Sequence, residues 1–279
     1  LTARITAQTC RQSGLSIIYM QLLCYEGDEM YFKNEKPLAG KTFKEALFAY
    51  EDSALLGFMD KEGKIHINPP HDTVLTAEDE ILAVTEDDDT IIMSGITDYN
   101  IKEDALIKSM PKTSVTTERN VILGWNERGN IIIKELDEYV AKGSEIFIIS
   151  DFKKPEKLQK QLISSIENQK ISFITGDITS VSVLESVDIL SFDNIIILNY
   201  YDIDIQEADA KTLISLLHIR NTADKAGVNV NIVSEMFDQN NRELAEVTKA
   251  DDFIISEDLI SRYLTQLSET PDLKKVFDD

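Results

Sequence analysis

Two cysteines and three histidines are the whole stock, in 279 residues, of two side chains often found in metal and covalent sites, and there is one tryptophan. Cys10 and Cys24 lack C-x-x-C spacing, which excludes a disulfide scaffold and a zinc ribbon and makes a reducing compartment the default. His66, His71 and His218 stand among apolar or turn residues without paired ligand spacing, so a histidine metal site or general base is not expected. There is no G-x-S-x-G elbow, no H-E-x-x-H and no tyrosine four positions before a lysine. No apolar run approaches the ~20 residues that cross a bilayer, and no signal peptide is recognisable. Positive charge is scarce as well. Lys+Arg 28 against Asp+Glu 50 gives a formal charge of -22, which disfavours nucleic acid, anionic membrane surfaces and polyanionic ligands and favours small cations or basic partners. Leu1 opens what reads as mid-helix with no initiator Met, so the chain is expected to be an excised soluble piece of a longer protein.

What is present is rhythm. The apolar run 121–124 is followed by an amphipathic stretch with Ile132, Ile133, Leu136 and Val140 on one face, closed by Gly143 as expected C-cap near Lys142. Further apolar runs at 145–150, 171–175, 194–199, 230–234 and 252–256 alternate with helical stretches at 156–166, 181–187 and 207–226. Such alternation predicts βαβ units and a parallel sheet covered on both faces. Ser256 is the expected N-cap of a closing helix. The first half differs: short strands at 30–32, 54–59, 64–68 and 80–86, with one helix at 41–51, predict a small α+β unit with antiparallel pairing. Residues 96–118 lack clean periodicity and read as a linker. Leu1, Arg4 and Gln8 recur at the same spacing as Leu259, Arg262 and Gln266, which suggests two tandem copies of one architecture in the parent chain.

The junction Asn120–Asn130, NVILGWNERGN, starts like the G-x-G-x-x-G dinucleotide fingerprint with Gly124 and Gly129, yet Asn126 stands where the middle glycine lets backbone approach a pyrophosphate. A Rossmann-type sensor is therefore favoured over an oxidoreductase. Ligands of open parallel sheets bind at the carboxyl ends of strands. There the sequence places Glu127, Asp151, Asp177, Asp202, Asp204 and Glu235. One reading makes Asp177, Asp202, Asp204 and Glu235 ligands of a hard divalent cation such as Ca²⁺; the other leaves them as solvated loop and helix-start carboxylates. No EF-hand supports the first, since Glu207 and Leu213 fall where that loop needs Gly and Glu. Gly124, Asn126, Glu127 and Asp151 line the candidate ligand crevice. Asp151 occupies the ribose-recognising position, though further from Gly124 than the usual ~20 residues, so a nucleotide stays open as ligand while NAD is disfavoured. Trp125 walls the crevice or packs beneath it. The Gly40-Lys41-Thr42 triplet lacks the first P-loop glycine and reads as a helix start. The acid runs 26–29 and 86–89 read as solvated turns.

The strings PLAGKTFKEALFAYEDSALLGF and KIHINPPHDTVLTAEDEILAVTEDDDT resemble the small C-terminal lobe of RCK domains, the regulators of potassium conductance, and most closely that of Castor/Pollux-like ion channels. VILGWNERG and MFDQNNRELAEVTKADDFIISEDLISRYLTQLSE are similar to the second RCK Rossmann lobe of that family. The resemblance implies a Rossmann-like parallel-sheet RCK lobe preceded by a small α+β RCK C-terminal lobe. Residues 1–95 would be the closing helix and C-lobe of a first RCK unit, 96–118 the linker, and 119–279 the N-lobe of a second unit with its closing helix. It further implies a non-catalytic gating module on the cytosolic face of a tetrameric cation or potassium channel, joined to pore helices of the same parent chain. Exposed apolar faces expected on the helices at 259–267 and 1–9 predict a homo-oligomer, a crossing dimer or a ring. The alternatives are a nucleotide-binding regulatory subunit of a potassium uptake system and a degenerate NAD-dependent oxidoreductase.

Overall fold

The computed structural model describes residues 1–25, 27–96, 102, 105, 116–151, 156–238, 240–241 and 252–278. It divides into two compact units, one of Leu1–Tyr19 and Thr113–Ile260, the other of Met20–Lys112 and Ser261–Asp279. The units thus differ from a single cut at 96–118: the first helical residues group with the parallel sheet and the last with the small unit. Most of the 96–118 stretch lies outside the described residues, as do Glu26 and 242–251 of the segment resembling a Rossmann lobe. Among the described residues no helix is long and apolar enough to cross a membrane.

In the small unit, β1 (Glu29–Lys33), β2 (Ala54–Met59), β3 (Ile65–Ile67) and β4 (Glu80–Thr85) form an antiparallel sheet in the order β1-β4-β2-β3. Strand β4 is central and covered on both sides, which explains its apolar run. Ile81 and Ala83 join Leu38, Phe43, Ala46 and Phe58 in one cluster, while Leu82 faces Met30 and Leu273 in another. Thr42 starts helix α3 (Phe43–Leu47) with a capping box: its hydroxyl accepts from Glu45 N, and Glu45 Oε2 accepts from Thr42 N at 2.8 Å. The Gly40-Lys41-Thr42 triplet is accordingly a helix start. The later residues of helix α8 (Ser256–Glu269) and helix α9 (Leu273–Asp278) complete this core through Leu267, Leu273, Val276 and Phe277.

The larger unit holds six parallel strands in the order β10-β9-β8-β5-β6-β7. They are β5 (Arg119–Leu123), β6 (Ser144–Ser150), β7 (Gln169–Thr175), β8 (Asn194–Ile197), β9 (Asn231–Met236) and β10 (Asp252–Ile255). The mixed α/β class and the parallel sheet read from the sequence are both present. Val121, Ile122, Leu123, Ile146, Ile149, Ile195, Ile196 and Ile197 are fully buried, each contributing roughly 1.5–3 kcal/mol of apolar transfer. The helices are α4 (Gly129–Tyr139), α5 (Glu156–Ile163), α6 (Val181–Ser186) and α7 (Ile205–Ala226). Helix α4 buries Ile132, Ile133 and Leu136 as its periodicity predicts, but it stops before Lys142 because Val140 is already extended. Gly143 then serves the turn into β6, donating its N–H to Asn168 O at 2.8 Å, and is not the helix C-cap.

Helix α1 (Thr2–Thr9) lies against α4, where Arg4 Nε reaches Glu135 at 3.1 Å and Gln8 Nε2 reaches the Tyr139 hydroxyl at 3.4 Å. Its Ile5 and Ala7 are buried, so the exposed apolar face expected at 1–9 is absent, covered within the same unit. Exposed apolar residues occur on helix α2 (Leu15–Leu22), at Ile17 and Ile18, and, as expected, on α8 at Ile260 and Leu264. The repeated spacing has parallel uses: Gln266 Nε2 donates to Glu29 Oε2 at 2.9 Å in the small unit, as Gln8 does to Tyr139 in the larger one.

Candidate functional site

The strand order reverses between β5 and β8, and the crevice beyond their carboxyl ends is where this architecture takes ligands. Gly124 closes β5 with φ +81°, and a Cβ there would come within 2.2 Å of Leu198 O. Only glycine meets both conditions. A Cβ on Gly129 would likewise meet the Trp125 ring at 2.6 Å, which places Trp125 against the start of α4. Asn126 is buried. Its Nδ2 donates to Asn199 O at 2.8 Å and to Glu235 Oε2 at 2.7 Å, and its Oδ1 accepts the Arg128 N–H at 3.0 Å. The residue that breaks the glycine fingerprint thereby ties the β5 loop to the ends of β8 and β9.

Glu235 is the penultimate residue of β9, paired with Ile254 of β10, and its side chain is 3% exposed. Arg128 forms an ion pair with it, Ser256 Oγ donates to its Oε1 at 2.7 Å, and the Tyr201 hydroxyl donates at 3.1 Å. Arg128 also donates to Ser256 Oγ and lies 5.4 Å from the Tyr201 ring centre. Burial, and after it the Glu235 charge, pushes the Tyr201 phenol up, which keeps it a proton donor. Glu235 was expected as a metal ligand; four donors already use its oxygens.

The other carboxylates are dispersed. Asp151, at the end of β6, pairs with Lys211 Nζ at 2.9 Å, and Lys211 lies 5.0 Å from the Tyr200 ring centre. That hydrogen bond holds the Lys211 ammonium above its ordinary pKa. Asp177 is exposed and accepts from Thr179 N at 2.9 Å and Thr179 Oγ1 at 2.8 Å, which holds its carboxyl below the ordinary value. Asp204 is the N-cap of α7, accepting from Gln206 N at 2.9 Å. Asp202 and Glu127 are exposed. No three of Asp177, Asp202, Asp204 and Glu235 come together in metal-ligand range. Among the described residues the only such group is Asp87, Asp88 and Asp89, exposed at a turn. Asp177 and Asp204 accept from neighbouring amides, which stabilises both carboxylates without a shared ion.

Two participants carried no signal that the sequence reading used. Asp209, fully buried on α7, accepts from Asn199 Nδ2 at 2.7 Å, from the Phe237 and Asp238 amides at 2.9 Å each, and from Asn241 Nδ2 at 2.9 Å. It shares the helical phase of Thr212, Leu216, Ile219 and Ala223, all buried, and that phase marks it as inward-facing. Arg128, at the N-cap of α4, has no comparable periodic mark.

Residues 1–102 match the family described as Castor and Pollux, part of voltage-gated ion channel. Over 99% of its length the chain is 26% identical to "Probable ion channel POLLUX" and 27% identical to "Probable ion channel CASTOR", both of Oryza sativa subsp. japonica. The chain is Castor/Pollux-like. This bears out the resemblance to Castor/Pollux-like channels read from the sequence. The chain spans about a third of those relatives, 32% and 35% of their lengths. A solved structure described as "GsuK channel bound to NAD" is 16% identical, covering 99% of this chain and 44% of that one, at a TM-score of 0.46. That likeness is too distant to transfer a ligand in either direction, and the expectation that NAD does not bind draws no support from the comparisons.

Proposed function

We propose that this Castor/Pollux-like chain is a regulatory, non-catalytic module of a cation channel, acting as one member of a ring whose geometry sets the state of the pore. Relatives named as ion channels align with nearly all of the chain and extend well beyond it, which supports a part within a larger channel. The observation that carries the regulatory reading is the commitment of the crevice side chains to one another. Asn126, Arg128, Glu235 and Ser256 join the ends of β5, β9 and β10 in a buried polar network. A ligand with different affinity for two arrangements of such a network would shift the balance between them.

The proposed effector is a divalent cation, Ca²⁺ by the hardness of the ligands, held by the exposed acids Asp177, Asp202 and Asp204 without Glu235. Since these lie apart in the present arrangement, binding must draw their loops together, and that movement is the work the sensor performs. A nucleotide is the second reading, favoured by Asp151: its side chain is 41% exposed beside the crevice, where it pairs with Lys211. Attachment to pore helices at the cytosolic membrane face belongs to the same proposal, as does oligomerisation through Ile17, Ile18, Ile260 and Leu264. The test is thermal unfolding of metal-stripped chain with Ca²⁺, Mg²⁺, NAD⁺, NADH and ATP. A ligand at ~100 times its dissociation constant adds about 2.7 kcal/mol, a shift of several degrees. A selective Ca²⁺ shift lost in Asp177→Asn and Asp202→Asn supports the cation reading. A nucleotide shift lost in Asp151→Asn replaces it with the second, and no shift from any ligand overturns both.

A further inference from the structure

Arg128, Asn126, Tyr201 and Ser256 converge on a single carboxylate. Glu235 Oε2 takes the Asn126 amide at 2.7 Å; Oε1 takes Ser256 at 2.7 Å, Tyr201 at 3.1 Å and the Arg128 guanidinium. The donors come from three separate segments: Asn126 and Arg128 from the β5–α4 loop, Tyr201 from the residues after β8, and Ser256 as the first residue of α8. A guanidinium, an amide and two hydroxyls pointing at one pair of oxygens are the chemistry of an oxyanion receptor. The receptor stands in the crevice where the architecture places ligands, and the anion in it is supplied by the chain.

We propose that Glu235 is an autoinhibitory occupant of an oxyanion site formed by Asn126, Arg128, Tyr201 and Ser256, and that a small anion with carboxylate or phosphate oxygens binds there when Glu235 leaves. The site shares its crevice with the reading above but does not rest on channel activity or on a cation. Displacement has a defined structural cost and consequence. Glu235 must find water or a new partner, since a buried carboxylate without donors is strongly disfavoured. Ser256 then exchanges its Glu235 contact for the incoming anion at the first residue of α8, a helix whose residues from Ser261 onward belong to the small unit. The overall charge of -22 opposes the approach of any anion, and the more so the more highly charged it is, which favours a ligand of low charge.

The test is chemical rescue on the whole chain. Glu235→Ala is titrated with sodium formate, inorganic phosphate and inorganic pyrophosphate against sodium chloride of equal ionic strength, with thermal unfolding as the readout. The expected result is a rise of several degrees in the variant with at least one oxyanion, no such rise in the parent chain, and its loss in Glu235→Ala with Arg128→Met. Formate alone identifies a carboxylate ligand, and phosphate or pyrophosphate a phosphate one. Equal responses of parent and variant, or none in a folded variant, overturn the proposal. Should Glu235→Ala not fold, Glu235→Ser, which leaves most of the same space, enters the same titration. Failure of both to fold in every anion also overturns it, because an occupant that no anion replaces is a structural residue. A loss of the Ca²⁺ response with rescue intact would leave this site standing and remove only the cation reading.

Discussion

At the scale of single residues, the Arg128–Glu235 pair decides what the crevice is. Two charges taken from water repay their desolvation only with good geometry and further hydrogen bonds, so such a pair is weak evidence of net stability. Removing one partner is another matter. Arg128→Met leaves Glu235 charged at 3% exposure, and full burial of both partners would put the loss at ~3–5 kcal/mol. Because the Arg128 side chain is 23% exposed and Asn126, Ser256 and Tyr201 still donate, we expect about 2–3 kcal/mol. Adding Glu235→Met removes the stranded charge, and the double variant should recover more than ~1 kcal/mol of that loss. Urea unfolding of the two single variants and the double one measures this. Simple addition of the single effects would mean that the two side chains act independently.

At the scale of elements, Asp209 binds α7 to the ends of β8 and β9. Replacing it by Ala strands the Phe237 and Asp238 amides together with the Asn199 and Asn241 side-chain amides. Each stranded buried donor costs ~1–3 kcal/mol, so a loss above ~3 kcal/mol is expected, less for Asn, which keeps an acceptor. Hydrogen exchange gives the local readout: protection of Phe237 and Asp238 should fall in Asp209→Ala while that of β5 and β6 amides follows only global stability. Unchanged exchange at both amides would remove Asp209 as their anchor. The elements themselves were readable from sequence wherever burial is two-sided and apolar, as at 121–123, 146–149 and 195–197. There the strand announces itself without a partner. Helix ends were less so, because the stop after Tyr139 depends on Val140 becoming extended and not on the glycine that follows. The site was the least readable part. Asn126 could be seen to break a fingerprint, but its partners Glu235 and Asn199 are brought to it by strand order, which composition does not encode. Acidic residues at strand ends looked alike in sequence, although one is buried in a network, one caps a helix and one closes a turn.

For the whole molecule, net charge and local carboxylates act over different ranges of pH and salt. The charge of -22 repels itself at neutral pH, and raising ionic strength from ~0.01 M to ~0.15 M shortens the screening length from about 30 Å to about 8 Å. The melting temperature at pH 7 should therefore rise over that interval. Acid works through other groups. Asp60 is held low by its hydrogen bond with His66, Asp177 by the Thr179 amide, and Asp238 by the Asn240 amide, all below the ordinary 3.8. A depressed carboxyl contributes stability that is fully present above 3.8 and is lost as pH falls through its lower value in the folded chain, so this loss is confined to pH below about 3.8. Melting curves across pH 3–7 at two ionic strengths separate the two effects, and a destabilisation already complete at pH 5 would contradict the acid assignment. The same experiment sets the standard for any cation site. Sodium relieves the long-range repulsion without choosing a position, so Ca²⁺ must raise the melting temperature beyond sodium at equal ionic strength, and by an amount that depends on Asp177 and Asp202. If the two cations coincide, the gain is screening, and the acidic rim is a solvated surface of an acidic chain.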